Sequence, residues 1–200
     1  MATHEQRSAE DPGRQWMLEI RQGDAEAFHR LVQHYGRAVS SFFVRSGADI
    51  QTAEDLCQET FLRVWRARER YEPRAKFRTW LHQIAHRIAI NDGTRNRWRR
   101  ASSMPDHEDE GGPILIDEEQ PDTMADREEL REQVRNTVAS LPESQRTALL
   151  LHRFQGLSYD EVGEAMGLGN AAVKSLLFRA RENVRKKMAP YLPEEVSDGR

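Results

Sequence analysis

The sequence predicts an all-α protein of two helical domains joined by a flexible acidic linker. Apolar residues recur at spacings of three and four through most of the 200-residue chain, which is the period of an amphipathic helix. Alternating runs of β-branched residues, the pattern of strands, are absent from the sequence. A stretch rich in proline, glycine and acidic residues separates the two helical parts, and this composition favours a disordered tether.

The first domain is predicted to span residues 15–100 after a disordered tail at 1–14. A short helix over about 16–22 precedes a longer one, for which Asp24 is a suitable N-cap residue. A further helix covers about 52–70 and ends at Glu72-Pro73, because proline lacks the backbone N–H that a helix interior needs. The apolar stripe of the last helix consists of Phe77, Trp80, Leu81, Ile84 and Ile88.

The linker is predicted at 101–125, the second domain at 126–190 and a second tail at 191–200. Pro142 is expected in the first turn of a helix that ends at Gly156. Ser158 and Glu161 have the spacing of a capping box at the start of the next helix. Gly167-Leu168-Gly169 forms a tight turn, and Asn170 is expected to cap the last helix. A short helix joined by a glycine turn to a basic second helix indicates a helix-turn-helix.

Charge is segregated along the chain although the net charge is only −3. Eleven basic residues between positions 66 and 100 are opposed by three acidic ones. The linker that follows is acidic, and a second basic cluster lies between Lys174 and Lys187. Clustered Lys and Arg in each domain point to two surfaces that bind nucleic acid.

The composition also excludes several classes of protein. Cys57 is the single cysteine, which rules out an intramolecular disulfide and argues against a cysteine-based zinc site. No apolar run approaches the roughly 20 residues of a membrane-spanning helix, and the N-terminus lacks the apolar stretch of a signal peptide. His82 and His86 are four residues apart, but Gln83 stands where a zinc-protease helix needs glutamate. We therefore expect a cytoplasmic protein without metal, cofactor or catalytic residues.

The last helix carries small and basic residues on one side, which suits entry into a DNA major groove. The stretches 141–146, 156–162 and 173–181, which include Leu-Pro-Glu-Ser-Gln-Arg and Gly-Leu-Ser-Tyr-Asp-Glu-Val, resemble region 4 of extracytoplasmic-function sigma factors. In that family region 4 reads the −35 promoter element. The resemblance implies a −35 DNA-binding surface made of Ala171, Ala172, Lys174, Ser175, Phe178 and Arg179. The family's common Gly-Thr pair is Ala171-Ala172 here, and its frequent Arg after Lys-Ser is Leu176.

The stretch 53–65, Ala-Glu-Asp-Leu-Cys-Gln-Glu-Thr-Phe-Leu-Arg-Val-Trp, resembles region 2.2 of the same family. This region docks on the clamp coiled coil of RNA polymerase. The resemblance implies a polymerase-binding surface made of Asp55, Gln58, Glu59, Leu62 and Trp65. Two simpler interpretations stay open: acidic residues in the first turns of a helix suit its dipole, and Leu62 and Trp65 can be core residues.

The stretch 71–81, Tyr-Glu-Pro-Arg-Ala-Lys-Phe-Arg-Thr-Trp-Leu, resembles region 2.3. Cations next to aromatic rings are typical of surfaces that bind single-stranded DNA, and a loop pocket can capture a base that has left the stack. The resemblance implies a −10 DNA-binding surface made of Arg74, Ala75, Lys76, Phe77, Trp80, Arg87 and Asn91. Trp80 also has the spacing of a core residue. The family's usual Arg-Asn pair is His86-Arg87 here, and its following Asp is Asn91.

Together these motifs resemble an extracytoplasmic-function sigma factor of the sigma-70 family. The resemblance implies three partners: core RNA polymerase, bound at its β′ clamp and β flap, promoter DNA, and an anti-sigma factor. Two alternatives remain. A helix-turn-helix regulator that acts without polymerase explains the second domain only, and a helical interaction protein would use its basic faces to bind acidic proteins.

Overall fold

The chain is described by a computed structural model over residues 11–96 and 124–191. No strand occurs in these two ranges, and the all-α fold class is confirmed. The helices are α1 (Gly13–Arg21), α2 (Ala25–Arg45), α3 (Ile50–Ala67), α4 (Phe77–Asn96), α5 (Met124–Ala139), α6 (Glu143–Leu149), α7 (Tyr159–Met166) and α8 (Asn170–Met188). The 3₁₀ turns Arg68–Arg70 and Ala189–Tyr191 follow α3 and α8, and the π-helical turn Leu150–Phe154 continues α6. The predicted linker up to residue 123 lies outside the described residues.

Three helix starts are held by side chains that the local sequence provides. The Asp24 carboxylate accepts hydrogen bonds from the backbone N–H groups of Glu26 (2.9 Å) and Ala27 (3.1 Å), which confirms the predicted cap of α2. Ser158 and Glu161 form the predicted capping box of α7, with distances of 3.3 Å and 2.7 Å. Asp49 caps α3 through the Thr52 N–H at 2.7 Å, so this helix begins two residues earlier than predicted.

Three details of the predicted boundaries were wrong. Asn170 does not cap α8: Gly169 occupies the N-cap position, and the Asn170 side-chain amide donates to Asp160 at the start of α7. Pro142 precedes the first turn of α6, because its carbonyl accepts the first helical bond from Arg146 N (2.9 Å). Residues 11–14, expected in a disordered tail, are ordered, since α1 already begins at Gly13.

The helices form two packed units. Helices α1 to α4 enclose aromatic and aliphatic side chains, and α6 to α8 with the π-helical turn enclose a smaller aliphatic core. The fully buried side chains include Met17, Leu31, Phe42, Phe43, Phe77 and Leu81 in the first unit and Leu150, Leu151, Leu157 and Leu177 in the second. Burial of these apolar side chains is the main source of stability for such small helical units.

The two units lie against each other, with α4 packed on α7. The Gln155 side-chain amide donates to the Ala38 carbonyl (3.1 Å), and an Arg78 guanidinium N–H donates to the Gly156 carbonyl (3.2 Å). The Arg45 guanidinium lies 4.1 Å from the centre of the Phe154 ring. The two units are therefore in direct contact through these side chains and are not connected by the linker alone.

Candidate polymerase and nucleic-acid interfaces

The acidic face of α3 is open to solvent. Asp55 and Gln58 are exposed, and Leu62 keeps 48% of its surface exposed although it is apolar. Glu59 forms an ion pair with Arg63 at 2.7 Å, one helical turn away. Acceptor groups beside an exposed leucine form a surface on which a partner can bury apolar area and pair its cations.

Trp65 lies at the edge of this acidic face. Its ring is half-buried, 5.0 Å from the Phe28 ring in an edge-on arrangement, and the Arg68 guanidinium covers it at 4.4 Å. Trp65 therefore has a packing role within the chain, and only part of its ring is available to a partner.

A loop between the 3₁₀ turn and α4, residues 71–76, borders a cavity of about 360 Å³. We name residues 71–76 the pocket loop. Its Arg74 is exposed and pairs with Glu72 at 2.5 Å, and Ala75 contributes a small side chain to the wall. The cavity is lined by Ala67, Arg70, Tyr71, Glu72, Arg74, Ala75, Thr79, Trp80, Gln83 and Glu164. Cations and aromatic rings around a small cavity suit a nucleic-acid base and its phosphates.

The aromatic side of the cavity consists of Tyr71 and Trp80, whose ring centres are 4.9 Å apart. Trp80 is half-buried, so one part of it packs and another faces the cavity. Phe77, which the sequence suggested as a DNA-binding residue, is fully buried at the start of α4 and is not among the cavity-lining residues. The centre of its ring lies 6.2 Å from that of Tyr71 and 5.7 Å from that of Trp80. The Phe77 ring therefore packs behind these two residues and is not open to a strand in this structure.

Arg87 and Asn91 are exposed farther along α4. They follow Trp80 by seven and eleven residues, which puts the three on one side of the helix. A strand that enters the cavity at Trp80 can therefore continue along this side of α4.

Helix α7 covers one edge of the pocket loop. The Lys76 ammonium lies 3.1 Å from a Glu161 carboxylate oxygen, and the Gln83 side-chain amide donates to the Glu164 carbonyl (3.3 Å). Glu164 also lines the cavity. No sequence pattern indicated these contacts, since Gln83 and Glu164 stand 81 positions apart.

The outer side of α8 is exposed. Ala171, Ala172, Lys174 and Arg179 face solvent, Phe178 is 66% exposed, and Ser175 is partly exposed and accepts a hydrogen bond from Arg179 (2.8 Å). Val173, Leu177 and Ala180 on the opposite side are buried. An exposed helix with a small, basic surface satisfies the geometric requirement for entry into a major groove.

The turn before α8 depends on glycine. Gly167 has a φ of +69°, which favours glycine, and a Cβ atom on Gly163 would lie 2.6 Å from the Leu168 carbonyl oxygen. Glycine at position 163 therefore permits the backbone of the turn to lie close against α7.

Neither histidine of the 82/86 pair is available to a metal. His82 is fully buried, donates from its Nδ1 to the Arg78 carbonyl (2.8 Å) and packs edge-on to Phe42. Burial lowers the pKa of His82 to about 4, although its hydrogen bond to the Arg78 carbonyl acts in the opposite direction. Burial also lowers the pKa of His86. Within residues 11–96 and 124–191 no group of three His, Cys, Asp or Glu side chains is arranged to hold a metal ion. None of the helices in the same ranges combines the length and apolar composition of a membrane-spanning segment.

Comparison with known proteins identifies both units. Residues 31–100 match the family model of Sigma-70 region 2, and residues 131–184 match that of Sigma-70, region 4. The chain is 35% identical to the RNA polymerase sigma-H factor of Pseudomonas aeruginosa over 92% of this chain and 98% of the relative. It is 33% identical to the ECF RNA polymerase sigma-E factor of Escherichia coli K12 over 86% of this chain and 92% of the relative.

Solved structures agree on the fold. CnrH in complex with the cytosolic domain of CnrY superposes with a TM-score of 0.67 at 24% identity, covering 88% of this chain and 97% of that one. The sigma factor RpoE of Bartonella quintana, in complex with the anti-sigma factor NepR, superposes with a TM-score of 0.64 at 20% identity, covering 82% and 98%.

Proposed function

The chain belongs to the extracytoplasmic-function sigma factors of the sigma-70 family, and on that premise we propose how its surfaces direct transcription initiation. In this proposal the acidic face of α3 binds the β′ clamp of core RNA polymerase, the second unit binds the β flap, and the two DNA surfaces read one promoter. The observation that carries the proposal is the presence of two different DNA-binding chemistries in one chain. These are an exposed basic helix after a glycine turn and a cationic loop beside an aromatic cavity.

The α8 surface reads duplex DNA at the −35 element. Lys174 and Arg179 have donors for guanine edges or phosphates, and the exposed Phe178 ring offers an apolar contact to a thymine methyl group. Ala171 and Ala172 keep the start of the helix small, so its backbone comes close to the groove.

The pocket loop reads the −10 element as single-stranded DNA. Arg74 and Lys76 attract phosphates, and Ala75 leaves room in the cavity wall. The half-buried Trp80, backed by the buried Tyr71, offers a face on which a base stacks. Arg87 and Asn91 continue the path along α4. A base held in the cavity is removed from its duplex partner, so binding energy alone opens the promoter and the chain needs no catalytic residue of its own.

The closed arrangement of the two units has a consequence for this function. Glu161 neutralises Lys76, and Glu164 occupies part of the cavity wall. A DNA strand and α7 compete for the same cation, so the units separate before the pocket loop binds the −10 strand.

The same arrangement supports control by an anti-sigma factor. A protein that binds both units at once and keeps α7 on the pocket loop holds the chain inactive without covering every DNA contact. The exposed Leu62 on the polymerase-binding face offers a second point of competition. A factor that works with RNA polymerase acts in the cytoplasm, which is the location we propose.

In vitro transcription tests the proposal. Purified core polymerase with this chain is expected to initiate from promoters of its own genome at mapped start sites, whereas core alone does not. A helix-turn-helix regulator that acts without polymerase would bind duplex DNA yet leave core polymerase without promoter-specific initiation. That result would overturn the sigma-factor mechanism and favour the simpler regulator.

A further inference from the structure

The Asp11 carboxylate joins three parts of the first unit beneath the pocket loop. Its Oδ2 accepts a hydrogen bond from the backbone N–H of Arg78 (3.0 Å), in the first turn of α4. Its Oδ1 accepts from the Gly13 N–H (3.3 Å) at the start of α1 and from the hydroxyl of Tyr35 on α2. One side chain outside the motifs therefore connects α1, α2 and α4.

Helix α4 has no cap from its own sequence. The Lys76 carbonyl accepts the first helical bond from Trp80 N (3.2 Å), which puts Lys76 at the N-cap position. A lysine side chain has no acceptor for the free N–H groups of the first turn, and the Lys76 ammonium pairs with Glu161. Asp11, 67 residues upstream of Arg78, supplies the missing acceptor.

A close steric fit accompanies these hydrogen bonds. A Cβ atom on Gly13 would lie 2.1 Å from Phe77 Cδ1 and 2.5 Å from Phe77 Cγ, so only glycine lets this backbone lie on the Phe77 ring. The centre of the Tyr35 ring lies 5.1 Å from the centre of the Phe77 ring, and the Gly13 N–H donates to the Tyr35 hydroxyl (3.2 Å). Burial and the neighbouring Asp11 carboxylate both raise the pKa of Tyr35, so its hydroxyl remains a donor at neutral pH.

The contacts of Asp11 lead directly to the cavity. Phe77, which packs against Gly13 and Tyr35, also contacts Tyr71 and Trp80, and these two rings form the aromatic side of the cavity. Tyr71 begins the pocket loop and Lys76 ends it. Both ends of the pocket loop therefore adjoin residues whose positions depend on the hydrogen bonds of Asp11.

We infer that Asp11 is a positioning residue for −10 recognition, which fixes the pocket loop and the start of α4 in the conformation that receives the DNA strand. This inference rests on the proposed function of the loop. A loop that is already fixed loses less conformational freedom on binding, so removal of the anchor weakens strand binding even though Asp11 itself does not touch DNA.

The test uses holoenzyme reconstituted from core polymerase and the full chain. Fluorescence anisotropy measures its affinity for a labelled single strand that spans the −10 element of a promoter it transcribes, and separately for the −35 duplex. Asp11→Ala is expected to weaken strand binding about fivefold, the effect of removing one helix cap, with the −35 duplex and core affinities unchanged. Asp11→Asn keeps an acceptor for Arg78 N–H and is expected to retain most of the affinity. The matched control is Glu26→Ala, which removes an exposed acid from the same unit.

The possible results separate the inference from its premise. If Asp11→Ala lowers only the melting temperature and leaves strand affinity unchanged, Asp11 is a structural cap and the inference is wrong. Should this variant fail to fold, Tyr35→Phe, which removes one hydroxyl, is expected to weaken strand binding about twofold, and an unchanged affinity overturns the inference. If wild-type holoenzyme itself does not bind the strand, the proposed function of the loop fails instead.

Discussion

Lys76 and Glu161 form an ion pair at 3.1 Å between the pocket loop and the helix-turn-helix. The second Glu161 oxygen accepts from Ser158 N–H (2.7 Å), so the same carboxylate caps α7. Burial raises the pKa of Glu161, but the hydrogen bonds from Ser158 and Lys76 outweigh this effect and lower it. Glu161 is therefore ionised at neutral pH and stands where a DNA phosphate would pair with Lys76.

Locking the two units together is expected to weaken strand binding strongly. In a Cys57→Ser background, Gln83→Cys with Glu164→Cys introduces two thiols at a point where α4 and α7 touch. After oxidation, we expect the affinity for the −10 strand to fall at least tenfold and the affinity for the −35 duplex to stay unchanged, because α8 stays exposed. Reduction should restore strand binding.

Each single-cysteine variant, treated with the same oxidant, controls for damage by oxidation. Full strand binding by the cross-linked chain would show that α7 does not compete with DNA for the pocket loop.

Removal of two cations from α8 should weaken duplex recognition selectively. Lys174→Ala with Arg179→Ala is expected to reduce −35 duplex affinity by one to two orders of magnitude. The slope of the logarithm of affinity against the logarithm of salt concentration should become shallower by about one for each phosphate that is no longer bound. Filter binding across a salt series measures both effects. Arg153→Ala, which removes an exposed cation from the π-helical turn, serves as the control. A parallel decrease in core polymerase affinity would contradict a role confined to DNA.

Removal of acids from α3 should act on polymerase binding alone. Asp55→Ala with Glu59→Ala is expected to weaken core affinity about tenfold, since two carboxylates no longer pair with cations of the polymerase. Glu54→Ala, an exposed acid on the same helix, is the matched control. Competition against a labelled sigma factor for core polymerase measures the change. Equal affinities of the double variant and the control would refute this docking surface.

Acid should destabilise the chain through His82. Burial lowers its pKa to about 4 in the folded protein, while an unfolded histidine titrates near 6.5. Between these two pKa values the unfolded chain binds the proton more strongly than the folded chain. The contribution of neutral His82 to the free energy of unfolding is therefore complete above pH 6.5 and decreases as the pH falls toward 4. From pH 7.5 to pH 5 the free energy of unfolding is expected to fall by about 2 kcal/mol.

Urea unfolding at several pH values measures this effect. His82→Asn keeps a donor for the Arg78 carbonyl but removes the titrating group, so its stability should depend less on pH. His29→Asn, at an exposed position, is expected to behave like the wild type. Identical pH profiles for His82→Asn and wild type would exclude His82 as the source.

The sequence predicted those features that neighbouring residues determine. Asp24 and the Ser158–Glu161 box cap their helices because donor and acceptor lie within three residues of each other. The exposed side of α8, with its small and basic residues, also followed from the helical period. The local sequence pattern is sufficient to predict such features, because the interacting residues lie within one helical turn of each other.

Features that depend on distant partners were not predicted. Asn170 has the chemistry of a cap, but it lies one residue inside α8, and its side-chain NH2 group donates to Asp160 on another helix. Asp11 was assigned to a tail because its partners Tyr35 and Arg78 are 24 and 67 residues away. The contact between Gln155 and the Ala38 carbonyl spans 117 residues, so packing of the two units had no local signal either.

Under the proposed function, the exposure of α8 and the covering of the pocket loop by α7 imply an order of events at a promoter. A duplex that approaches the closed chain finds the basic helix available and the loop occupied, so the first encounter is with intact double-stranded DNA. In this proposal, capture of an unpaired base comes later, after Glu161 has released Lys76. The proposal therefore makes promoter search and promoter opening separate stages, divided by a contact within the chain itself.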